Sequence, residues 1–472
     1  MLGAIVVAGT VLRFWRLGSQ PLNFDESFTA MVGRLPLGTL FGFLRAHDSH
    51  PPLDYLLQLP LARAGASPFV FRLPSVLCSV AALGLFAWWM RDRGRVGILA
   101  TAAMAVGTFQ LYYAREARMY AVMELLGVAT AVVAESWLRA PRRRHAAVIG
   151  AIVFLGLLTH VSMILAAVGL LALAGSRRDR DAWHWRAAIL VATAGWAVLW
   201  GPSFLTQSKG GHSSWIPHTT PLRLIDTVGG LVTEQKGLSA LVFAAIIAGI
   251  VVCRRRDATL ATVLMCCFVV PVGLAALLGL RAPVLLDRTL TVAAWAPLLA
   301  LAYAVDAIAR RVRAAGIIAV AVAMLALLPT AAQTINAPSG PTAALRELER
   351  VGRPGDIVAV QPASKGVELD WTFGVRSDDG TAHTVQLAGF RQTAALALTG
   401  GRPTGRVWIM QYTSKSFGLH HLRRCARPWH HGPTRLVCIE RASMPRLTES
   451  SAPSILTLYD ASKPDIPEPR HR

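Results

Sequence analysis

The chain has 472 residues, of which 53% are hydrophobic and only 16% charged, where a soluble globular protein carries about 25% charged residues. Its formal net charge of +21 would suit a nucleic-acid partner, but the distribution of that charge excludes such a footprint and reports topology instead. Five short segments between apolar runs, Arg91–Arg95, Arg139–His145, Ser176–Arg186, Cys253–Asp257 and Ala309–Arg313, hold 17 of the 48 basic residues in 33 positions. The 51-residue loop Gly18–Pro68 has only Arg34, Arg45 and Arg63.

Uncharged runs explain the low charge. Leu241–Cys253, Ala258–Leu280, Thr289–Val305 and Ala314–Ala332 contain no charged side chain, and several approach the roughly 17–25 apolar residues that cross a bilayer as a helix. A soluble enzyme with one long buried helix does not repeat that pattern along its whole length. Short basic loops stay cytoplasmic. The N-terminus therefore faces the cytoplasm, the loop Gly18–Pro68 faces out, and an odd number of spans leaves the C-terminus outside. The expected fold is an all-α polytopic protein of the cell membrane with about eleven spans, carrying a small α/β domain on the extracytoplasmic side.

In chain order, span one is Met1–Leu17, without the basic start and cleavage site of a signal peptide. The outer loop that follows reads as partly helical, with Pro36, Pro51, Pro52 and Pro60 as breaks. Span two lies near Pro68–Met90, three near Val96–Tyr113 and four near Met119–Leu138. Spans five and six, Ala146–Leu158 and Ser162–Ala174, are short and meet at Thr159-His160. Span seven is near Ala187–Phe204, and a second outer loop, Leu205–Gly237, follows it. Spans eight to eleven lie near Leu238–Cys253, Ala258–Leu280, Arg288–Ile308 and Ala314–Ala332. This assigns residues 1–335 to the membrane domain. A linker at Asn336–Pro341 opens the outer domain, residues 336–442, with a helix over Thr342–Val351 and strands over Asp356–Val360, Val407–Gln411 and Leu436–Glu440. Residues 443–472 read as a disordered, proline-rich tail.

Cys78, Cys253, Cys266 and Cys267 sit in or beside apolar runs and suit packing. Cys425 and Cys438 fall in the outer domain, where a disulfide is chemically permitted. No cysteine spacing suggests zinc.

Polar residues near the outer membrane surface are the candidates for chemistry, and each has a plainer alternative. Asp25 and Glu26, just after span one, could cap a helix or hold a carboxylate as general base. Asp48 and His50, before Pro51-Pro52, could merely open a helix or line a cavity mouth, with His50 binding phosphate or orienting a hydroxyl. Arg115, Glu116, Arg118 and Tyr120, between spans three and four, could snorkel or join an aromatic belt. A glutamate between two arginines in so short a turn also suits a cavity wall. Arg72, His160 and Arg288 are interfacial residues with the same two readings. Trp215, in the second outer loop, suits an interfacial anchor.

Taken in order, Asp25-Glu26 after span one, His50-Pro51-Pro52-Leu53 in the same loop, Phe71-Arg72-Leu73-Pro74 opening span two and Arg115–Tyr120 opening span four resemble the glycosyltransferases of the GT-C fold. The nearest branch is the protein O-mannosyltransferase and lipid A aminoarabinose transferase-like group (family 39-like). The resemblance runs from Met1 to about Ala332 and is strongest over the first 160 residues. It implies a sugar donor linked to polyprenyl phosphate, a membrane-lipid setting, and transfer of a monosaccharide such as mannose or arabinose to a glycan, lipid or protein acceptor, with no nucleic acid involved.

The leaving group in such a reaction is an anionic phosphate ester that needs no proton. What the reaction needs is a base for the acceptor hydroxyl and fixed cations for the phosphate. A carboxylate of ordinary pKa, about 4, is ionised at neutral pH and can take that proton. By resemblance the base is Asp25, with Glu26 positioning or substituting. Arginine offers a planar, permanently charged set of donors, and Arg288 is the first candidate, although relatives carry Arg-Tyr where this chain has Arg288-Thr289. Arg72, Arg115, Arg118 and His160 stand behind it. Asp25, Asp48, His50 and Glu116 would suit a hard divalent cation, Mg2+, Mn2+ or Ca2+, and no spacing decides for or against one. The alternatives are a flippase of lipid-linked sugars, which would place ionisable groups near the bilayer midplane in repeated halves, and a non-catalytic envelope-assembly protein.

Overall fold

The computed structural model describes residues 1–311 apart from 21, 49, 176, 178, 210–215 and 283, and beyond them 340–353, 357–361, 384–387, 394–397, 406–411, 423–431, 434–440 and 447–450. The helices in chain order are α1 (Leu2–Phe14), α2 (Phe24–Val32), α3 (Leu37–His47), α4 (Leu53–Arg63), α5 (Pro68–Met90), α6 (Gly94–Val106), α7 (Thr108–Ala114), α8 (Tyr120–Arg139) and α9 (Arg143–Thr159). They continue as α10 (Met163–Gly175), α11 (Arg180–Lys209), α12 (Pro221–Gly230), α13 (Ser239–Arg256), α14 (Ala258–Leu264), α15 (Val270–Leu278), α16 (Trp295–Arg311) and α17 (Gly340–Val351). Contacts divide the chain into two units. One is Met1–Leu17, Leu44–Leu57 and Arg72–Asn336; the other is Gly18–Phe43, Gln58–Phe71 and Ala337–Arg472.

The first unit is a helical bundle. Five helices, Pro68–Met90, Tyr120–Arg139, Arg180–Ser208, Lys236–Arg256 and Ala258–Leu278, are long and apolar enough to cross a membrane, and the bent pair α6 and α7 makes a sixth. The chain is a multi-pass membrane protein. The expected bounds of spans two and four agree with α5 and α8 closely. Among the described residues, length and composition support these six spans of the expected eleven or so. Helices α1 and α10 have 13 residues each, which at 1.5 Å per residue extend roughly 20 Å against a hydrocarbon thickness of about 30 Å. The eleventh expected span, Ala314–Ala332, lies outside the described residues.

Buried charge decides how these helices fit. Arg13, in α1, is fully buried. Its guanidinium donates to the carbonyls of Gly9 at 3.0 Å, Ala105 at 3.0 Å and Met104 at 3.1 Å, and to Ser79 Oγ of α5 at 2.9 Å. The break between α6 and α7, a bend of 49°, deprives the Met104 and Ala105 carbonyls of the amides that would follow in a continuous helix. Arg13 replaces those amides. Ser79 in turn donates to Glu124 of α8 at 3.3 Å, so the charge is answered inside the bundle, as ionisable groups at membrane depth require. At the ends bearing the basic loops, Glu135 accepts from Arg93 at 2.6 Å and Arg139 at 2.7 Å. Asp306 accepts from Arg256 at 2.6 Å and Arg310 at 2.7 Å.

The outer-loop prolines behave as expected except one. Pro36 and Pro52 precede α3 and α4, whereas Pro60 lies inside α4. A proline there removes one helical donor, and the helix survives it, with the Ala64 amide donating to the Pro60 carbonyl at 3.1 Å. The C-terminal residues form strands β1 (Ile357–Gln361), β2 (Thr384–Leu387), β3 (Ala394–Ala397), β4 (Arg406–Gln411), β5 (Trp429–His431), β6 (Thr434–Glu440) and β7 (Leu447–Ser450). The main sheet has the order β3-β1-β4-β6-β5, with β1 and β4 parallel and the other pairs antiparallel. Helix α17 packs on β5 and β6. It starts at Gly340, two residues before the expected Thr342. Cys425 and Cys438 are joined as a disulfide. Strand β7, which pairs with β2, occupies part of the stretch expected to be a disordered tail; residues 451–472 lie outside the described residues.

Close helix contact gives a test of the bundle. A Cβ added at Gly249 of α13 would collide with the Ala300 carbonyl of α16, while one at Gly84 of α5 would meet nothing within 4 Å. Gly249→Ala is expected to destabilise the protein by about 1–3 kcal/mol through overpacking. Gly84→Ala is expected to leave it unchanged or stabilise it by about 0.5–1 kcal/mol. Thermal midpoints in detergent compare the two, and equal midpoints would remove this packing contact from the account.

Candidate active site

Asp25 lies in the first turn of α2 and is not the helix cap. Asn23 is. Its side chain accepts from the Glu26 amide at 2.9 Å while Glu26 Oε2 accepts from the Asn23 amide at 2.9 Å, a reciprocal capping box. Glu26 is fully buried in that arrangement. This gives it a local structural task and separates its part from that of Asp25. The Asp25 carboxylate is half-buried and carries no hydrogen bond among the described residues. Only its backbone carbonyl is engaged, by Thr29 Oγ1 at 3.0 Å.

In the first unit a second group of candidates does converge. Asp48 Oδ1 accepts from the His50 amide at 3.1 Å and contacts His50 Nδ1 at 2.8 Å. Its Oδ2 accepts from the Tyr55 hydroxyl. Arg118 donates to the same hydroxyl at 3.3 Å and places Nη2 3.4 Å from His50 Nδ1. The His50 ring lies 5.5 Å from that of His160, and the charge of Arg288 acts on His160. Proline explains the local fold. Pro51-Pro52 begin the turn that leads into α4, whose first turn then carries Asp54 and Tyr55 back to Asp48.

The electrostatics follow from burial and from these donors. Burial pushes the Asp48 carboxyl up, but His50, Arg118 and the Tyr55 hydroxyl together outweigh it and bring the group down to about 2. Asp48 therefore stays ionised and holds the proton of His50 on Nδ1, leaving Nε2 as the ring atom available to a ligand. Burial lowers His160 to about 3, with the neighbouring His50, Arg118 and Arg288 acting in the same direction. Its Nδ1 accepts from the Ser162 amide at 3.1 Å, so neutral His160 carries its proton on Nε2 as a donor. Asp54 differs. Burial raises it to about 7 against the opposing pull of Arg118, with Asp48 adding to the rise, and its Oδ2 has no partner among the described residues.

The remaining candidates are placed differently. Arg115 donates to the carbonyls of Trp15 at 2.6 Å, Arg13 at 3.3 Å, Arg16 at 3.3 Å and Leu12 at 3.4 Å. Arg72 donates to the Leu17 carbonyl at 2.8 Å. Both arginines thus bind the exit of α1, where a helix leaves carbonyls unsatisfied, a task that the expectation of phosphate binding did not include. Burial, with Arg72 and Arg16 close by, lowers Arg115 to about 10, which keeps it charged at neutral pH. Glu116 is buried, and its carbonyl accepts from the Arg118 amide at 2.7 Å. Tyr120 is buried with its ring 4.5 Å from that of Tyr113. Among the described residues no three His, Cys, Asp or Glu side chains come together as a metal-holding group. Trp215 lies outside the described residues. Sequence reasoning had not assigned Asp54 and Tyr55 to the site; the signal for them was the helix start at Pro51-Pro52.

No protein-family model matches the sequence, and no curated protein sequence matches it. Solved structures do. ArnT from Cupriavidus metallidurans in the apo state is similar with a TM-score of 0.56 at 14% identity, over 94% of this chain and 98% of that one. The same protein bound to undecaprenyl phosphate gives a TM-score of 0.58 at 13% identity, over 92% and 97%. An Archaeoglobus fulgidus oligosaccharyltransferase tethered to an acceptor peptide with the NVT sequon reaches 0.48 at 11% identity, over 78% of this chain and 63% of that one, a likeness too low to argue from. The chain has the GT-C fold of ArnT, a lipid A aminoarabinose transferase. A shared fold at this identity shows architecture; activity has to be argued from the site.

The opposite displacements of Asp48 and Asp54 set a pH test. A group raised in the folded state contributes its stability fully below its unfolded pKa and loses it as pH rises through the folded value. Asp54 therefore weakens the protein as pH climbs from about 4 to about 7. Asp48 and His160 are depressed and act in the other sense, losing stability as pH falls. The comparison of Asp54→Asn with the parent chain isolates Asp54. The variant is expected to gain in thermal midpoint relative to the parent between about pH 5 and 8; a difference constant across that range would contradict the burial of an ionisable Asp54.

Proposed function

We propose that this chain is an inverting glycosyltransferase. It takes a hexosyl or pentosyl group, mannose or arabinose among the candidates, from a polyprenyl-phosphate donor and delivers it to a hydroxyl of a cell-envelope glycan, lipid or protein. The reaction takes place on the extracytoplasmic face of the cell membrane, the side of the basic-poor loop Gly18–Pro68. The observation that carries the reading is the cluster in which Asp48 orients His50 and Tyr55 beside Arg118, with His160 and Arg288 electrostatically coupled to it. It belongs to a chain with the fold of ArnT, whose solved structure holds undecaprenyl phosphate.

In this mechanism the acceptor hydroxyl gives its proton to the Asp25 carboxylate as its oxygen bonds to the anomeric carbon. The bond from that carbon to the phosphate oxygen breaks, and its electron pair leaves with the polyprenyl phosphate. Attack from the face opposite the leaving group inverts the anomeric centre in one step, without the covalent intermediate of a retaining enzyme. The departing phosphate is already anionic, so no acid is needed. Its growing charge is met by Arg288 and Arg118 and by the Nε2–H of His160, fixed before the reaction begins, while the unprotonated Nε2 of His50 accepts from a hydroxyl and orients it. Asp25 suits the base because the capping duties of its helix fall to Asn23 and Glu26. Glu26 positions it.

Purified protein with lipid-linked donor and acceptor tests both assignments. Asp25→Asn is expected to fold and to lower kcat by about a hundred- to ten-thousandfold, the usual weight of a general base; transfer at the parent rate would rule that role out. Arg288→Ala is expected to weaken donor binding by about ten- to a hundredfold, the loss of one charged hydrogen bond. An unchanged donor affinity would remove Arg288 from the phosphate site.

A further inference from the structure

A cavity of ≈ 480 Å³, lined by several polar and charged side chains, opens in the first unit between α12, the segment that follows it and the turn before Arg288. Its volume falls within the roughly 300–1,000 Å³ of small-molecule sites. Helix α12 places Arg223, Asp226, Thr227 and Gly230 along it, and positions spaced by three and four share one helix face. Among the described residues neither the Arg223 guanidinium nor the Asp226 carboxylate has a hydrogen-bond partner, and Arg223 Nε is shielded from solvent. A buried donor of this kind normally has an acceptor. Thr220, Thr233, Glu234, Lys236, Ser239 and Asp287 complete the polar lining.

The chemistry of the lining selects its ligand. Three carboxylates against two cations disfavour a phosphate or another anion. No metal-holding group of His, Cys, Asp or Glu occurs among the described residues, and an alkyl chain would leave the charges unanswered. A polyhydroxylated ring fits, because each hydroxyl donates to a carboxylate and accepts from a cation in turn. The cavity also adjoins the donor machinery in sequence: Asp287 lines it, and its Oδ1 accepts from the amide of Arg288 at 2.7 Å.

We infer that this cavity is the subsite for the acceptor, and that the acceptor presents a saccharide to it. This rests on the glycosyltransferase reading and narrows the acceptor from any hydroxyl to a sugar residue. Arg223, Asp226 and Lys236 hold the ring and orient the hydroxyl that receives the transferred sugar.

Saturation-transfer NMR on the full-length protein in detergent, with methyl glycosides of mannose, glucose, galactose and arabinose as probes, tests it. At least one glycoside is expected to bind, and Arg223→Gln/Asp226→Asn is expected to weaken that signal by about fivefold or more, the loss of one or two hydrogen bonds. Lys236→Gln, at an exposed position, provides a milder second variant with a smaller loss in the same direction. Thermal midpoints and binding of undecaprenyl phosphate are expected to stay at parent values in both. No transfer to any glycoside, or an equal signal in the folded double variant, would overturn the inference. So would displacement of the glycoside by saturating undecaprenyl-phosphate-linked sugar, which would make the cavity a donor-sugar site. Parent protein that binds glycosides but not undecaprenyl phosphate would sink the donor reading while leaving the saccharide cavity standing.

Discussion

A buried carboxylate that must remain ionised organises the candidate site. Asp48 is removed from water, and an isolated charge in that setting is costly unless donors surround it. Here the donors are an amide and a ring nitrogen from His50, the Tyr55 hydroxyl and the field of Arg118. Each partner answers the charge and is fixed by it. The imidazole receives a defined tautomer, the phenol a defined direction, and the guanidinium a reason to lie over the Tyr55 ring. The result is a set of polar and charged groups whose orientation precedes any ligand, which is what electrostatic stabilisation of a leaving phosphate requires.

The same constraint shapes the helices around the site. Arg13 is tolerated inside the bundle because the interruption at Gly107 leaves carbonyls for it to bind, and Ser79 and Glu124 balance it. Arg115 and Arg72 bind the carbonyls at the exit of α1, so the segment leading to Arg118 is tied to the end of that helix. Charges in an apolar bundle thus act as fasteners at the places where helices break or end. Function and architecture use the same residue types here, and the hydrogen-bond partners tell them apart.

That distinction marks the limit of what could be read from sequence. Long apolar runs define α5 and α8 almost to the residue, since length and hydropathy are local properties. The strands around Val358, Trp408 and Val437 were legible for the same reason, as short apolar runs rich in β-branched residues. Arginine roles were not, because a guanidinium near a membrane surface looks alike whether it meets a phosphate or a carbonyl 100 residues away, as Arg115 meets Trp15. Nor could the sequence decide whether Asp25 or Asn23 caps α2: both are good caps, and only the geometry of Glu26 separates them. Pro60 was misread because a single missing donor in a helix is affordable when the next turn closes. Tyr55 and Asp54 became part of the site through the helix start that precedes them.

The central claim is that the Asp48-organised cluster receives a lipid-borne phosphate. The most direct measurement is a cryo-EM structure of the protein with undecaprenyl phosphate bound. The account predicts phosphate oxygens at about 3 Å from the guanidinium of Arg288 or Arg118 and from Nε2 of His160. A well-ordered phosphate seated elsewhere, touching none of these three side chains, would contradict it.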